Sequence, residues 1–418
     1  MKKSTPLRTS LLCTCLMTLS GAAFAQPGSG IRLGEQTLLV PKLDVSYNYN
    51  SNVNLRGRSL GIDDEPLDQP ESDTYYNYSA SLSLSRATAN HRLNLVGWYS
   101  QDFYQTYKDL DGENYGVGGG YLWTRPNQST TLALNAQYQH AVDRAGSEDL
   151  DLGTNTAGFI ENASDRVERD ITTADVVLDQ NLINNLGSSF IFGYYDTNYL
   201  EQGYYDRASY EYIIELNYRL SDKTQPYLRL GYGIDDDQGF EDPAEKPFIL
   251  GGVRYTATDK LRFDVGIGYE TYTRTPLESE ELENSNVKYT LSAYYTATAK
   301  STLRLSAHNG YDSVSYDGSS SRLENVAALL YRHQTSRRIN QTLLLSWRQD
   351  DYLSPILSEG VEYDELKETT RIQYVFNYQT VRPWLNLFAN ASYEDGQSKI
   401  PGDSYDETIV GLGASLRY

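Results

Sequence analysis

The chain has 418 residues, with 36 Lys and Arg against 56 Asp and Glu, a formal net charge of −20, and 37 tyrosines. Its mean hydropathy is −0.56, and past the N-terminus no stretch approaches the roughly 20 apolar residues of a spanning helix. That excludes a helical membrane protein, and without an exposed basic face interleaved with aromatics it argues against a nucleic-acid partner.

Residues 1–25 combine a basic start (Lys2, Lys3, Arg8), an apolar run from Leu11 to Phe24 and an Ala23-Phe24-Ala25 end. This is the pattern of a secretory signal peptide cleaved before Gln26. Both cysteines, Cys13 and Cys15, lie inside it. The expected mature chain, 26–418, therefore has no thiol and no disulfide. Neither cysteine follows a lipobox, so no lipid anchor is expected.

From Val40 the chain reads as strands with a period of two. Leu43, Val45, Tyr47 and Tyr49 alternate with Asp44, Ser46, Asn48 and Asn50. After a long polar segment, Tyr76, Tyr78, Ala80, Leu82 and Leu84 alternate with Asn77 and a run of serines. The cycle repeats to the C-terminus, with Phe190/Phe192/Tyr194 ambiguous because Ile191 and Tyr195 compete for the same face. About 18 strands result, with 16 as the next choice, each near the length of a tilted span. The predicted fold is all-β: a transmembrane antiparallel up-and-down β-barrel. Tyrosine-rich strands in a polar, Gly-rich chain suit aromatic girdles at two bilayer interfaces.

Connections alternate between short ones, such as 87–90 and 125–129, and long ones, such as 51–72 and 142–168. An even strand count puts the short set in the periplasm and the long set outside. Acids gather in the long set (Asp63, Glu148, Glu241, Glu278, Glu359) and bases in the short set (Arg125, Lys223, Lys260, Arg337, Arg382). The run Asp235-Asp236-Asp237-Gln238-Gly239 is read with the long loops. It lacks the glycine and glutamate of a calcium loop, so no metal and no other cofactor is expected.

The last stretch, Thr408–Tyr418, carries Val410, Leu412, Leu416 and Tyr418 at alternate positions. It resembles the C-terminal signature of bacterial outer-membrane barrels, which implies a closing strand and an assembly signal read by the barrel-assembly machinery in a membrane of lipid and lipopolysaccharide. That tail most often ends in Phe; Tyr418 departs mildly.

Two histidines raise an enzyme alternative, because outer-membrane hydrolases pair His with Ser on a barrel face. His308 stands beside Ser306, and His333, placed in a turn, is near Ser336; neither has a third partner in sequence, and the chain is expected not to be an enzyme. A second constellation is cationic. Arg219, Arg229, Arg254, Arg262 and Arg304 fall on inward positions near short turns, with Arg348 and Arg371 deeper. They form either a basic pore lining that passes anions or struts paired with Glu215, Asp264, Glu270 and Asp350.

The motif Tyr47-Asn48-Tyr49-Asn50-Ser51-Asn52-Val53, an alternating first strand running into a long loop and Tyr-rich hairpins, resembles the putative β-barrel porin 2 group. Some members accompany exopolysaccharide synthesis and export. The resemblance implies an outer-membrane conduit, with periplasmic polysaccharide-export proteins as partners in the export case. A diffusion porin for anionic or sugar solutes, or a barrel plugged by its own loops, are the alternatives.

Overall fold

A computed structural model describes residues 30–53, 71–144, 166–183, 185–200, 206–237, 242–275, 282–312, 321–354, 356–358, 361–400 and 404–417. The expected signal peptide, the expected loop acids Asp63, Glu148, Glu241, Glu278 and Glu359, Gln238-Gly239, most of the 142–168 connection and Tyr418 lie outside the described residues.

Eighteen long strands form one antiparallel meander. They are β1 (Thr37–Asn50), β2 (Asp73–Ala87), β3 (His91–Tyr104), β4 (Gly112–Thr124), β5 (Thr130–Arg144) and β6 (Arg166–Ile183). Next come β7 (Leu186–Tyr199), β8 (Arg207–Tyr218), β9 (Thr224–Asp237), β10 (Ala244–Thr258), β11 (Leu261–Arg274) and β12 (Leu282–Thr298). The last six are β13 (Ser301–Asp312), β14 (Arg322–Ser336), β15 (Ile339–Tyr352), β16 (Leu366–Gln379), β17 (Leu385–Gln397) and β18 (Tyr405–Arg417). A short strand, Ile31–Arg32, pairs with Leu38–Leu39 of β1, and a small hairpin, Ile356–Ser358 with Val361–Tyr363, sits in the β15–β16 connection.

The sheet closes where β18 pairs with β1: Val410 opposite Tyr49, Leu412 opposite Tyr47, Leu416 opposite Leu43. Closure leaves no strand edge, the condition for β-structure to stand in hydrocarbon. The outward residues follow the expected alternation. On β8 they run Tyr210, Tyr212, Ile214, Leu216, Tyr218, and on β11 Phe263, Val265, Ile267, Tyr269. Aliphatic side chains hold the middle of the wall and aromatic ones both ends, which matches a hydrocarbon core between two interfaces. Neighbouring aromatics touch across strands, as in Tyr47–Tyr76 with ring centres 5.0 Å apart and Phe192–Tyr212 at 5.2 Å. The ambiguity on β7 resolves: Ile191 and Tyr195 are buried inside, and Phe190 is exposed outside.

One end of the barrel carries the tight turns, 88–90, 125–129, 219–223, 259–260, 299–300, 337–338 and 380–384. The other carries the longer connections. By the general asymmetry of such barrels the tight-turn end is periplasmic. Beyond residue 15 the sequence holds no cysteine, so single cysteines report this orientation cleanly. Lys399→Cys, at the long-loop end, is expected to react with a membrane-impermeant maleimide on intact cells, and Lys300→Cys only after the outer membrane is opened. The reverse pattern would invert the topology.

Candidate functional site

The lumen divides into two sectors. Across β1–β5 and β16–β18 the inner face is mostly hydroxyl and amide: Ser46, Asn48, Ser81, Asn135, Asn386 and Asn390 are typical. Most of these side chains remain partly accessible. Across β8–β15 the inner face is charged and closed.

The closed sector is built on a local departure of β13. Its ladder to β12 ends at Thr290 opposite His308. The Asn309 side chain then takes over the strand's pairing: its Oδ1 accepts from the Tyr289 amide at 2.7 Å, and its Nδ2 donates to the Val287 carbonyl at 2.7 Å. Freed from β12, the end of β13 turns inward. Tyr311 packs on Tyr272 with ring centres 5.2 Å apart, and its backbone N–H donates to Glu270 at 3.3 Å. Asp312 meets Arg207 of β8 at 2.6 Å.

That contact is a chord. β8 and β13 are five strand spacings apart along the wall, about 24 Å at the usual ~4.8 Å per neighbour. A single ion pair spans them, so at this level the wall from β8 to β13 curls into a nearly closed lobe. The lobe is filled with charge in alternation. Arg207 also reaches Asp235 at 3.3 Å and Asp237 at 3.7 Å; Arg274 holds Asp237 at 2.6 Å; Lys246 contacts Asp235. The chain of pairs continues through Arg322 to Asp312 at 3.3 Å and Asp350 at 3.5 Å, then through Arg348 to Asp350 at 2.9 Å and Glu324 at 3.3 Å. Arg207, Arg274, Arg322 and Arg348 are all buried. Such charges stay in a low-dielectric site only when each has opposite partners in good geometry.

Nearer the tight-turn end the same side of the wall carries a dry layer of inward apolar side chains, Ala133, Val177, Ile191, Ile213, Tyr227, Phe248 and Leu250. In this layer, which begins at Ala133 on β5, water is squeezed out and inward residues pack as a core.

The arginines expected to line the pore separate accordingly. Arg229 is buried against Glu215 at 2.7 Å. Arg254 holds Glu215 at 2.6 Å and Asp264 at 3.2 Å. Arg348 belongs to the buried network, and Arg371 approaches Glu394 at 3.8 Å. Arg304 is half-buried, whereas Arg219 and Arg262 are exposed on the inner-face register near the tight turns. Three further exposed inward arginines sit at the same end: Arg92 on β3, Arg332 on β14 and Arg417 on β18. Carrying the strand alternation through to the strand ends would have found them. Arg207 and Arg322 were missed because each follows directly on a long connection.

Two expectations are corrected. Asp235 and Asp237 are not loop acids: they end β9, face inward and neutralise Arg207, Lys246 and Arg274. His333 is not in a turn but within β14, opposite Ser301, whose Oγ lies 2.8 Å from its Nδ1. His308 faces inward, with Glu324 at 4.0 Å. The serine beside His333 is thus Ser301 of the neighbouring strand, and the group His308 approaches is the Glu324 carboxylate. Of the closing residues, Val410, Leu412 and Leu416 are exposed on the outer face.

Residues 26–418 match the family model described as Putative beta-barrel porin 2. The chain belongs to that family. It is a large β-barrel of the outer membrane. No curated protein matches it. Among solved structures it is similar to OpdK from Pseudomonas aeruginosa with vanillate, at 9% identity and a TM-score of 0.47, covering 91% of this chain and 99% of that one. A BenF-like porin from Pseudomonas fluorescens Pf-5 gives 11% identity and a TM-score of 0.48, covering 92% and 99%. The FrpB iron transporter from Neisseria meningitidis gives 7% identity and a TM-score of 0.46, covering 92% and 83%. Likeness at this level carries nothing about the solute.

Removing one member of a buried charge pair leaves the other without compensation, at a cost of about 3–5 kcal/mol. Arg207→Gln is therefore expected to lower barrel stability by about that amount in denaturant titration and to raise single-channel conductance by loosening the lobe. Arg207→Lys, which keeps the positive charge among Asp235, Asp237 and Asp312, should recover part of both. Unchanged conductance in Arg207→Gln would mean the chord does not narrow the path.

Proposed function

We propose that this protein is a passive outer-membrane channel with a preference for small anions in its ionic current. The observation that carries the reading is the set of exposed inward arginines at the tight-turn mouth: Arg92, Arg219, Arg262, Arg332 and Arg417. None of the five has a carboxylate partner among the described residues, in contrast to Arg229, Arg254 and Arg348. Fixed cations at a mouth with low-dielectric walls concentrate anions there, more at low salt than at high. The paired arginines deeper in the wall act as struts and add little net field.

The narrower export reading, a last-step pore for an anionic polysaccharide served by a periplasmic partner, rests on the family association. The lobe between β8 and β13 reduces the bore that a polymer would use, so diffusion of small solutes is the better supported form. In either form the outward apolar residues of β18, with the terminal Tyr418, serve as the signal that the barrel-assembly machinery reads.

In planar bilayers under a salt gradient, the wild type should give a reversal potential of anion-selective sign. The triple change Arg92→Gln, Arg262→Gln, Arg332→Gln should bring it toward zero or reverse it, with the heat-modifiable barrel intact. Cation selectivity unaffected by the three changes would place the controlling field in the acidic outer loops instead.

A further inference from the structure

β18 places glycine at two successive inner positions, Gly411 and Gly413. A Cβ at Gly413 would run into the Phe388 ring, and one at Gly411 into the amide oxygens of Asn48 and Asn390. These side chains therefore lie down across β18 instead of standing off the wall. In the ladder Phe388 is opposite Gly413, which faces Ser46, which faces Asn77. The next inner row runs Asn390, Gly411, Asn48, Tyr75. The outcome is a flat patch across β17, β18, β1 and β2, with Phe388 at one side and Tyr75 at the other of a set of amides and a hydroxyl; Phe388, Asn390 and Asn77 are partly accessible, and Ser46 and Asn48 are buried.

Part of its hydrogen-bonding capacity is unspent. The Asn48 Nδ2 donates to Ser46 Oγ at 2.9 Å, and the Asn77 Nδ2 to Asp102 at 2.8 Å. The Asn390 side-chain oxygen is buried and has no partner among the described residues. A comparison within the same lumen sharpens the point. Tyr227 lies over Gly252, and Phe248 over Gly231, in the same flattened way. There, however, Arg229 and Arg254 stand 4.6 and 4.7 Å from the Tyr227 ring centre, and Lys288 stands 4.8 Å from that of Phe248. Both of those rings are buried. Phe388 is only half-buried, and among the described residues no cation or second ring covers it.

We propose that this patch is a binding site for uncharged polyhydroxylated solutes, sugars and short oligosaccharides, on the path through the barrel. The proposal rests on the channel reading above. A pyranose offers one face of C–H groups, which suits the open face of a ring, and a rim of hydroxyls that both donate and accept. Asparagine amides do both as well, and a few such groups beside an apolar surface are what orient a small ligand. The nearest fixed charges are carboxylates: Asp102 accepts from Asn77 at 2.8 Å, Glu407 accepts from Asn50 at 2.6 Å, and Asp44 pairs with Lys42 at 2.6 Å. An anionic solute would thus meet like charge here, whereas a neutral one has no charge to desolvate.

Maltotriose is the probe, and polyethylene glycol of the same hydrodynamic size the control. In planar bilayers maltotriose should reduce the ionic current at concentrations where the polymer does not. By calorimetry on the folded protein in detergent it should bind, with affinity falling at least tenfold in Phe388→Leu and in the double change Asn48→Ala, Asn390→Ala. Phe388→Tyr, which keeps the ring, should bind as the wild type does. Equal reduction of current by the polymer, or binding unchanged in Phe388→Leu, would overturn the site. Absence of any current before sugar is added would overturn the channel reading alone. Calorimetry then still judges the patch: heat of binding lost in Phe388→Leu upholds it, and no heat in the wild type refutes it.

Discussion

Lipid offers the backbone no hydrogen-bond partner, so every amide and carbonyl at membrane depth must be paired by the chain itself. For a strand-only chain that leaves closure of the sheet as the one solution, and the pairing of β18 with β1 completes it. The outer surface follows from the same constraint. Alternate residues must be apolar where they meet hydrocarbon, and aromatic where they meet the two interfaces, which is how 37 tyrosines and a polar average composition coexist. The inner surface is released from that demand. Its composition is free to decide whether the barrel is a tube or a packed body.

Here it does both. Along β8–β15 the inner face is treated as protein interior: arginines and carboxylates alternate, apolar side chains pack beneath them, and the end of β13 bends in until Asp312 reaches Arg207. Along β1–β5 and β16–β18 the inner face is mostly hydroxyl and amide, and side chains such as Ser81, Asn135, Asn386 and Asn390 stay partly wet. The charges most suggestive of a permeation track are thus largely the ones that hold the closed sector together. The groups open to solutes are the less conspicuous arginines at the tight-turn mouth and the flattened amide-and-aromatic surface across Gly411 and Gly413.

The barrel itself was legible because the alternation that lipid imposes is local. Leu43 to Tyr49 or Tyr210 to Tyr218 announce their outward face without reference to anything distant, and turn chemistry marks where each strand ends. The family was legible from Tyr47–Val53 for the same reason. The lumen was less so. That Arg229 or Arg254 faces inward can be read from parity, but whether it meets water or Glu215 depends on how the wall curves. The curvature depends in turn on Asn309 replacing a ladder and on a contact between residues 207 and 312. No spacing in the sequence encodes that contact. Asp235 and Asp237 looked like loop acids because charge at a strand end and charge in a loop are identical in sequence. His333 was taken for a turn residue because its strand runs several residues past the apolar alternation.

The division of the lumen is tested most directly by paired serine-to-cysteine substitutions, which scarcely change side-chain volume. Ser83 lies on the inner face of β2 in the open sector, and Ser209 lies fully buried on the inner face of β8. Each single-cysteine protein is placed in a planar bilayer and exposed to a charged, thiol-specific methanethiosulfonate while current is recorded. The two-sector lumen predicts that the reagent changes the current through Ser83→Cys within the exposure and leaves Ser209→Cys untouched. Equal modification of both, or of Ser209→Cys alone, would contradict it.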